Sequence, residues 1–495
     1  MVNYTPSNQL SLSMFKHPFE QELDKKNRWV KLAELMPWDE LASVYASKLR
    51  SNQGRKSVDI RHVLGALIVK HKLGLDDRGT IEMIQENIYL QYFCGLKEFS
   101  IKPLFDPSLF VDIRERLGGL EFEKFNQLII SKSERFKPHQ ARIKKSNKND
   151  DELPNNKGTL KIDATVADQE IKFPTDVDLL NTSRENLERM IDKMYDSKKD
   201  KSKPRTYKRI ARKKFLNISK KKKKSKKEIR KAVKAQLQYV KRDLKYIDDF
   251  ISKNRHSSLS KRDIQLLQTI REIYRQQLWM RENNKSHINR IVSVYQKYVR
   301  PIVRGKAKSN TEFGAKINLS EVGGFCRIDR LNWEAYNESV DIKLQVTNYY
   351  NTYGCYPSEL LADRIYLTRE NRMYLKSLNI KIYGKPLGRP KQKAKTSAQK
   401  YRDRKKQAQR NHVEGKFGQA KRGYGLNNIM ARRKDTSESW INSIIFIMNL
   451  QKLLKIAEKY GCFLCSFLKS QNLNLDLVFY RIINTGFKNK LNWAG

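Results

Sequence analysis

The chain has 495 residues, too many for one core, so two to four domains are expected. Its 101 Lys and Arg against 53 Asp and Glu leave a net charge of +48, which is tolerable mainly beside a polyanion and points to nucleic acid. Anionic membrane is the rival partner, but no window approaches ~18 uninterrupted apolar residues, which excludes a membrane span.

The opening MVNYTPSNQLSLSMF lacks a cationic stretch followed by an apolar run, so no secretory signal is expected. Within residues 1–140 the clearest pattern is SVDIRHVLGALIVKHKLGLDDRGTIEMIQENIYLQYFCGL (57–96). Val58, Ile60, Val63, Leu64, Leu67 and Ile68 form one helical face. Gly74 and the Asp76-Asp77 pair then break the chain, and a second helix starts near Thr80 with Ile81, Ile84, Ile88 and Tyr89 inward. Such a pair reads either as a plain αα-hairpin or as a helix-turn-helix.

A polar linker (KKSNKNDDELPNNK, 144–157) leads into KGTLKIDATVADQEIKF (157–173). Leu160, Ile162, Ala164 and Val166 alternate there with Thr159, Lys161, Asp163 and Thr165, a period-two strand with a carboxylate on its polar face. From Asp176 the pattern is helical, and it is intensely basic through Lys220, Lys221, Lys222, Lys223 and Lys224. Apolar residues then recur every three or four positions over 229–251 and again over 264–278, a long helical hairpin with a basic outer face. That face is either a DNA contact or simply solvated.

Two strands follow, TEFGAKINLS (311–320) and GFCRIDRLNW (324–333), then a helix from about 340 to 353. SELLADRIY (358–366) is a fourth strand ending at Asp363, TRENRMYLKSL is helical, NIKIY (379–383) is a short strand and KPLGRP a turn. A basic helix carries RNHVEGKFGQAKRGYG (410–425), in which Arg410, Glu414 and Lys421 share one face. By itself this is compatible with a solvated helix holding an i, i+4 pair. The apolar WINSIIFIMNLQKLL (440–454) reads as a core helix. Five cysteines form no disulfide framework, as suits a reducing cytoplasm; Cys462 and Cys465 have CxxC spacing without a second pair, which favours an apolar turn over a metal site.

With the helical insertion removed, the strand and helix order is βββαβαβα, that of a ribonuclease-H-like α/β domain with a mixed five-stranded sheet. Asp163 on the first strand, Asp363 at the end of the fourth and Glu414 on the last helix form a set of hard oxygen donors. Three such carboxylates can hold two divalent ions for phosphoryl transfer, with Mg²⁺ the natural choice and Mn²⁺ a substitute. Asp168, Asp176 and Asp178 could stand in place of Asp163, although Asp168 would face the other side of a continuing strand.

The chain resembles bacterial insertion-sequence transposases of the DDE class with an InsH-like helical N-terminal domain. The resemblance rests on TPSNQLSLSMF, LDKKNRWVKLAELMPWDEL, FPTDVDLLNTSRENLERMID and YVRPIVRGKAKSNTEFGAKINLS, and on a Y-x2-R-x3-E-x6-K pattern met by Arg410, Glu414 and Lys421, with Gln407 at the tyrosine position. It implies that Asp163, Asp363 and Glu414 are the catalytic metal ligands and that Arg410 and Lys421 hold DNA phosphates. It further implies cleavage of double-stranded DNA at terminal inverted repeats, then joining of 3′ ends to target DNA by a homodimer or larger assembly in the bacterial cytoplasm, at the nucleoid. A ribonuclease-H-like nuclease that does not join strands, and an inactive DNA-binding derivative, are the rivals. The expected organisation is a DNA-binding N-terminal domain (1–140), a linker (141–157), a catalytic domain (158–183 and 296–455), a basic helical insertion (184–295) and a C-terminal tail (456–495).

Overall fold

A computed structural model of the chain describes residues 3–4, 6, 22–49, 56–136, 155–200, 202–253, 255, 258–303, 311–383 and 396–470. Most of the expected linker, the KPLGRP turn and the end of the C-terminal tail lie outside these residues, as do the side chains of Cys462 and Cys465.

Among the described residues seven helices form the N-terminal part: α1 (Arg28–Leu35), α2 (Trp38–Ala46), α3 (Ile60–Leu73), α4 (Asp77–Glu86), α5 (Ile88–Cys94), α6 (Leu109–Arg116) and α7 (Gly119–Arg135). The Asp59 side chain caps α3, and Gly74 ends it in a left-handed conformation (φ 70°) that L side chains rarely adopt. The helical face read from Ile60, Val63, Leu64, Leu67 and Ile68 is buried, but so are Arg61, Lys70 and His71, because α3 is central and enclosed on all sides. Asp77 at the start of α4 compensates the charge by pairing with Lys70 (3.0 Å) and Arg114 (2.8 Å). The exposed charges of α4 are Arg78, Glu82 and Glu86.

The core sheet has six strands: β1 (Thr159–Asp168), β2 (Arg300–Val303), β3 (Thr311–Val322), β4 (Phe325–Asn332), β5 (Glu359–Leu361) and β6 (Lys381–Ile382). The expected set of five is present, and β2 is an addition. It is four residues long and includes Pro301, so no alternating pattern marks it. Long β3 pairs antiparallel with β1 on one edge and with both β2 and β4 on the other. On its far side β1 pairs parallel with β5, and β5 parallel with β6, so the path across the sheet is β4-β3-β1-β5-β6.

Helices cover both faces. On one, α12 (Ile342–Tyr353) and α13 (Arg369–Ser377) join Leu160, Ile162 and Leu360 in a core cluster. On the other, α14 (Ser397–Gly423) contributes Val413, Phe417 and Ala420, spaced four and three apart, to a cluster with Ala167, Ala315, Ile317 and Leu319. The insertion between β1 and β2 is four helices rather than a hairpin: α8 (Asp176–Met194), α9 (Lys208–Ser219), α10 (Lys226–Ser252) and α11 (Lys261–Asn283). The two apolar repeats are α10 and α11, but α8 supplies a third wall to their core through Leu180, Leu187, Met190 and Ile191. Asp243 of α10 is fully buried in this bundle, beside the buried Arg184–Glu188 pair of α8, and neither of its carboxylate oxygens has a hydrogen-bond partner. Desolvation, and then the nearby Glu188 charge, push its carboxyl up to about 8.

The last helix, α15 (Lys434–Ser470), runs through the Cys462–Cys465 stretch, where the sequence leads one to expect a turn. Its Phe446, Ile447, Leu450 and Leu453 complete the N-terminal core, while Ile441, Ile444, Ile445 and Met448 belong to the sheet cluster. Asn449 pins the junction: it donates to Asn126 of α7 (2.8 Å) and to the Cys326 carbonyl of β4 (2.7 Å), and accepts from the Cys326 amide (2.8 Å).

Candidate active site

Asp163 occupies the polar face of β1, half-buried, and its carboxylate accepts from the Ala164 amide (2.8 Å). The parallel β1–β5 register matches Thr159 with Glu359, Leu160 with Leu360 and Lys161 with Leu361. Asp363 follows the last paired residue of β5 by two positions, as Asp163 follows Lys161 on β1. Asp363 is exposed and caps the short 3₁₀ turn Arg364–Tyr366 by accepting from the Arg364 amide (2.7 Å). Parallel pairing of β1 with β5 thus brings the segments that carry the two acids side by side, although 200 residues separate Asp163 from Asp363.

Glu414 is brought to the same level by the way α14 is tied down. Near its start, Lys406 pairs with Glu359, which also accepts from Tyr383 (2.9 Å) and Thr159 (3.3 Å). Near its end, Lys421 pairs with Asp168 and with Glu312, each at 3.3 Å. The helix thus spans β1 from the level of Thr159 to that of Asp168: about 22 Å of helix against about 30 Å of extended strand. Interpolating between the two ties places the level of Asp163 at about residue 413, beside Glu414. Glu414 itself is half-exposed and accepts from Arg410 (3.0 Å), whose side chain is 16% exposed. Among the described residues no three potential ligands are close enough together to hold a metal ion. The three carboxylates sit on neighbouring elements, β1, the end of β5 and α14, and do not form a ready cluster among the described residues.

Lys421, expected among the phosphate contacts, is only 18% exposed and is held by two carboxylates. Asp168 takes part although its spacing from Asp163 assigns it to the opposite face. The alternation lapses because β1 ends there, and because Gly314 lets β3 come close: a Cβ at Gly314 would lie 1.9 Å from the Ala167 carbonyl oxygen. Further along the chain, Asp176 binds Gln277 and Arg290 (2.6 Å each), and Asp178 binds Lys172 (2.8 Å) at the N-terminus of α8. The Lys172 and Thr175 hydrogen bonds outweigh burial and hold the Asp178 carboxyl below its usual range. Both aspartates are thus engaged in ties at the start of α8. Lys220, Lys221, Lys222, Lys223 and Lys224 are all exposed between α9 and α10, with Lys221 paired to Glu228.

The residues that sequence reasoning misses are Lys406 and Glu359, which tie down the start of α14, and the Lys161–Glu321 pair (2.6 Å) next to Asp163 on its face of the sheet. Tyr366 escapes it as well. It is fully buried, donates to Asn318 (2.9 Å), and is kept protonated first by burial and then by carboxylates that include Glu338 and Asp163.

Among the described residues no helix is long and apolar enough to cross a membrane. Residues 360–451, from β5 into α15, match the family described as "Transposase DDE domain", and residues 17–116 match "Transposase domain (DUF772)". A curated relative, "Uncharacterized protein ORF8 in nfe locus" of Rhizobium meliloti, is 24% identical over 163 residues, covering 33% of this chain and 72% of the relative. No solved structure matches the chain. The chain thus carries a transposase domain over residues 17–116 and, over residues 360–451, a transposase DDE domain that holds Asp363, Arg410, Glu414 and Lys421, the arrangement of insertion-sequence DDE transposases.

Proposed function

We propose that the protein binds the terminal inverted repeats of its element, cleaves DNA at the ends and joins the 3′ ends to target DNA, with Asp163, Asp363 and Glu414 as the catalytic carboxylates. The observation that supports this reading is that β1, which carries Asp163, pairs parallel with β5 just before Asp363, while α14 is tied to the same two strands on either side of Glu414. The strand path β4-β3-β1-β5-β6, antiparallel on one side of β1 and parallel on the other, supports a ribonuclease-H-like core.

The donor set fits a hard divalent cation, because all three groups are carboxylates and no thiol or imidazole joins them. When bound there, Mg²⁺, or Mn²⁺ in its place, would supply Lewis acidity to phosphoryl transfer. Arg410 orients Glu414 in the absence of DNA and is placed to meet a phosphate once Glu414 turns to its ligand role. The exposed first half of α14, with Lys400, Arg402, Arg404 and Lys405, lays positive charge along the approach to the acids. In this reading residues 1–140 recognise the repeats, residues 158–183 and 296–455 form the catalytic domain, residues 184–295 are the basic insertion, and a homodimer or larger assembly holds two ends in the bacterial nucleoid.

The test is a labelled duplex carrying the terminal repeats that bracket the gene, mixed with Mg²⁺ and a target plasmid. Wild type should yield both nicked and joined products, and Asp163→Asn, Asp363→Asn and Glu414→Gln should each lower cleavage by at least about 100-fold. Nicking without joined products would reduce the reading to a nuclease. Full cleavage by Asp163→Asn would refute the site.

A further inference from the structure

A groove of about 1770 Å³ opens between the insertion and the core, at the end of β1 beyond Asp168. Its walls are α8, the start of α11, the chain around residues 292–297, the segment after β1 and Arg432–Arg433. Eight Lys and Arg line it against four Asp and Glu. Two of the acids are already neutralised: Asp178 by Lys172 (2.8 Å), and Asp263 by Arg189 (3.0 Å) and Lys193 (2.7 Å). Lys261, Arg262, Lys297 and Arg432 are all exposed, and none of them makes an ion pair among the described residues.

Two aromatic rings stand in this cationic wall. Phe173 is 69% exposed and meets Phe313 edge to face, with ring centroids 5.6 Å apart. Tyr295 is 60% exposed, and its hydroxyl is held by the Asn186 amide (3.0 Å), which fixes the ring at the groove wall. A fixed, solvent-facing ring beside surplus cations is the pairing that single-stranded nucleic acid requires: phosphates follow the charge and bases stack on the rings. A duplex keeps its bases stacked inside and has no use for the rings. The groove is also joined to the catalytic helix, since the segment leaving α14 runs beside the end of β1, with the Asp168 amide bonded to Leu426 (3.1 Å) and the Glu170 amide to Ile429 (3.0 Å).

We propose that this groove is a binding site for single-stranded DNA, with phosphates held by Lys261, Arg262, Lys297 and Arg432 and unpaired bases stacked on Phe173 and Tyr295. DNA as the ligand rests on the transposase reading, while the choice of single strand over duplex rests on the two rings. The groove lies about 17 Å or more along β1 from Asp163, so it would hold DNA some base pairs away from the acids.

The experiment measures anisotropy of fluorescein-labelled oligo-dT of about fifteen nucleotides, and of a blunt duplex of equal length, with the full chain. Phe173→Ala and Tyr295→Ala should each weaken oligo-dT binding by about 5- to 100-fold, the effect of losing one base–aromatic stack, and change duplex binding less than about twofold. Lys261→Gln with Arg262→Gln should flatten the salt dependence of oligo-dT binding. Equal losses on both DNAs, or no loss on either by ring variants with wild-type circular dichroism, would overturn the proposal. Cleavage and joining by wild type are scored separately and bear on the catalytic reading alone.

Discussion

Replacing Lys421 with methionine separates the two roles open to that residue. In the structure Lys421 ties the end of α14 to Asp168 and Glu312 at 3.3 Å each, with side-chain exposures of 18, 26 and 13%. At an effective dielectric of about 20, each contact is worth about 5 kcal/mol of gross attraction. Desolvation of three largely buried charges cancels most of it, and removing one partner of such a cluster costs about 1–3 kcal/mol. Lys421→Met should therefore lower the melting temperature measurably. Because the tie sets the level of Glu414, a shift on the order of 1 Å at the carboxylate would slow cleavage by about 100-fold. DNA affinity and its salt dependence should stay at wild-type values, and Lys421→Arg should restore most of the rate. The assay pairs single-turnover cleavage with duplex binding at several salt concentrations. If Lys421→Met leaves the melting temperature unchanged and lowers the salt slope by about one unit, the residue is a phosphate contact and the strut argument fails.

Two further predictions concern the insertion. Asp243 titrates at about 8 when folded against an ordinary value of 3.8, so the unfolded state releases its proton first. Stability of the insertion should fall between pH 4 and pH 8 by about 1.4 kcal/mol per unit from this group and level off above. Asp243→Asn should remove that fall in hydrogen exchange of the α8 and α10 amides, and an unchanged pH dependence would contradict the assignment. Replacing Lys220, Lys221, Lys222, Lys223 and Lys224 with glutamine should weaken nonspecific duplex binding and flatten its salt dependence; an unaltered slope would mark the run as a solvated face.

Long strands are legible in the sequence where apolar residues recur at every second position, as Leu160, Ile162, Ala164 and Val166 do in β1 and Phe313, Ala315, Ile317 and Leu319 in β3. Short elements are harder. β5 has three residues and β6 two, and only Asp363 and the order of elements draw attention to them. The insertion reads as a hairpin because its apolar periodicity is strongest in α10 and α11, while the part played by α8 depends on packing that no local pattern encodes. At the site, the spacing of Arg410, Glu414 and Lys421 is visible, since it lies on one helix. The ties are not. Lys406 and Lys421 are two of 101 cations, and their partners Glu359 and Asp168 are 47 and 253 residues away in the chain.

Helix α15 gives the two ends of the polypeptide a shared fate. Its Trp440 ring lies under the Lys70 ammonium (4.5 Å) and meets His71 of the N-terminal part edge to face (5.2 Å), while neighbouring residues close the sheet core. A copy of the gene interrupted anywhere before Lys434 would encode a protein that lacks one wall of two cores at once. Such a product exposes wide apolar surfaces and is destined for aggregation or proteolysis. A truncated chain is therefore expected to be cleared rather than to persist as a folded fragment.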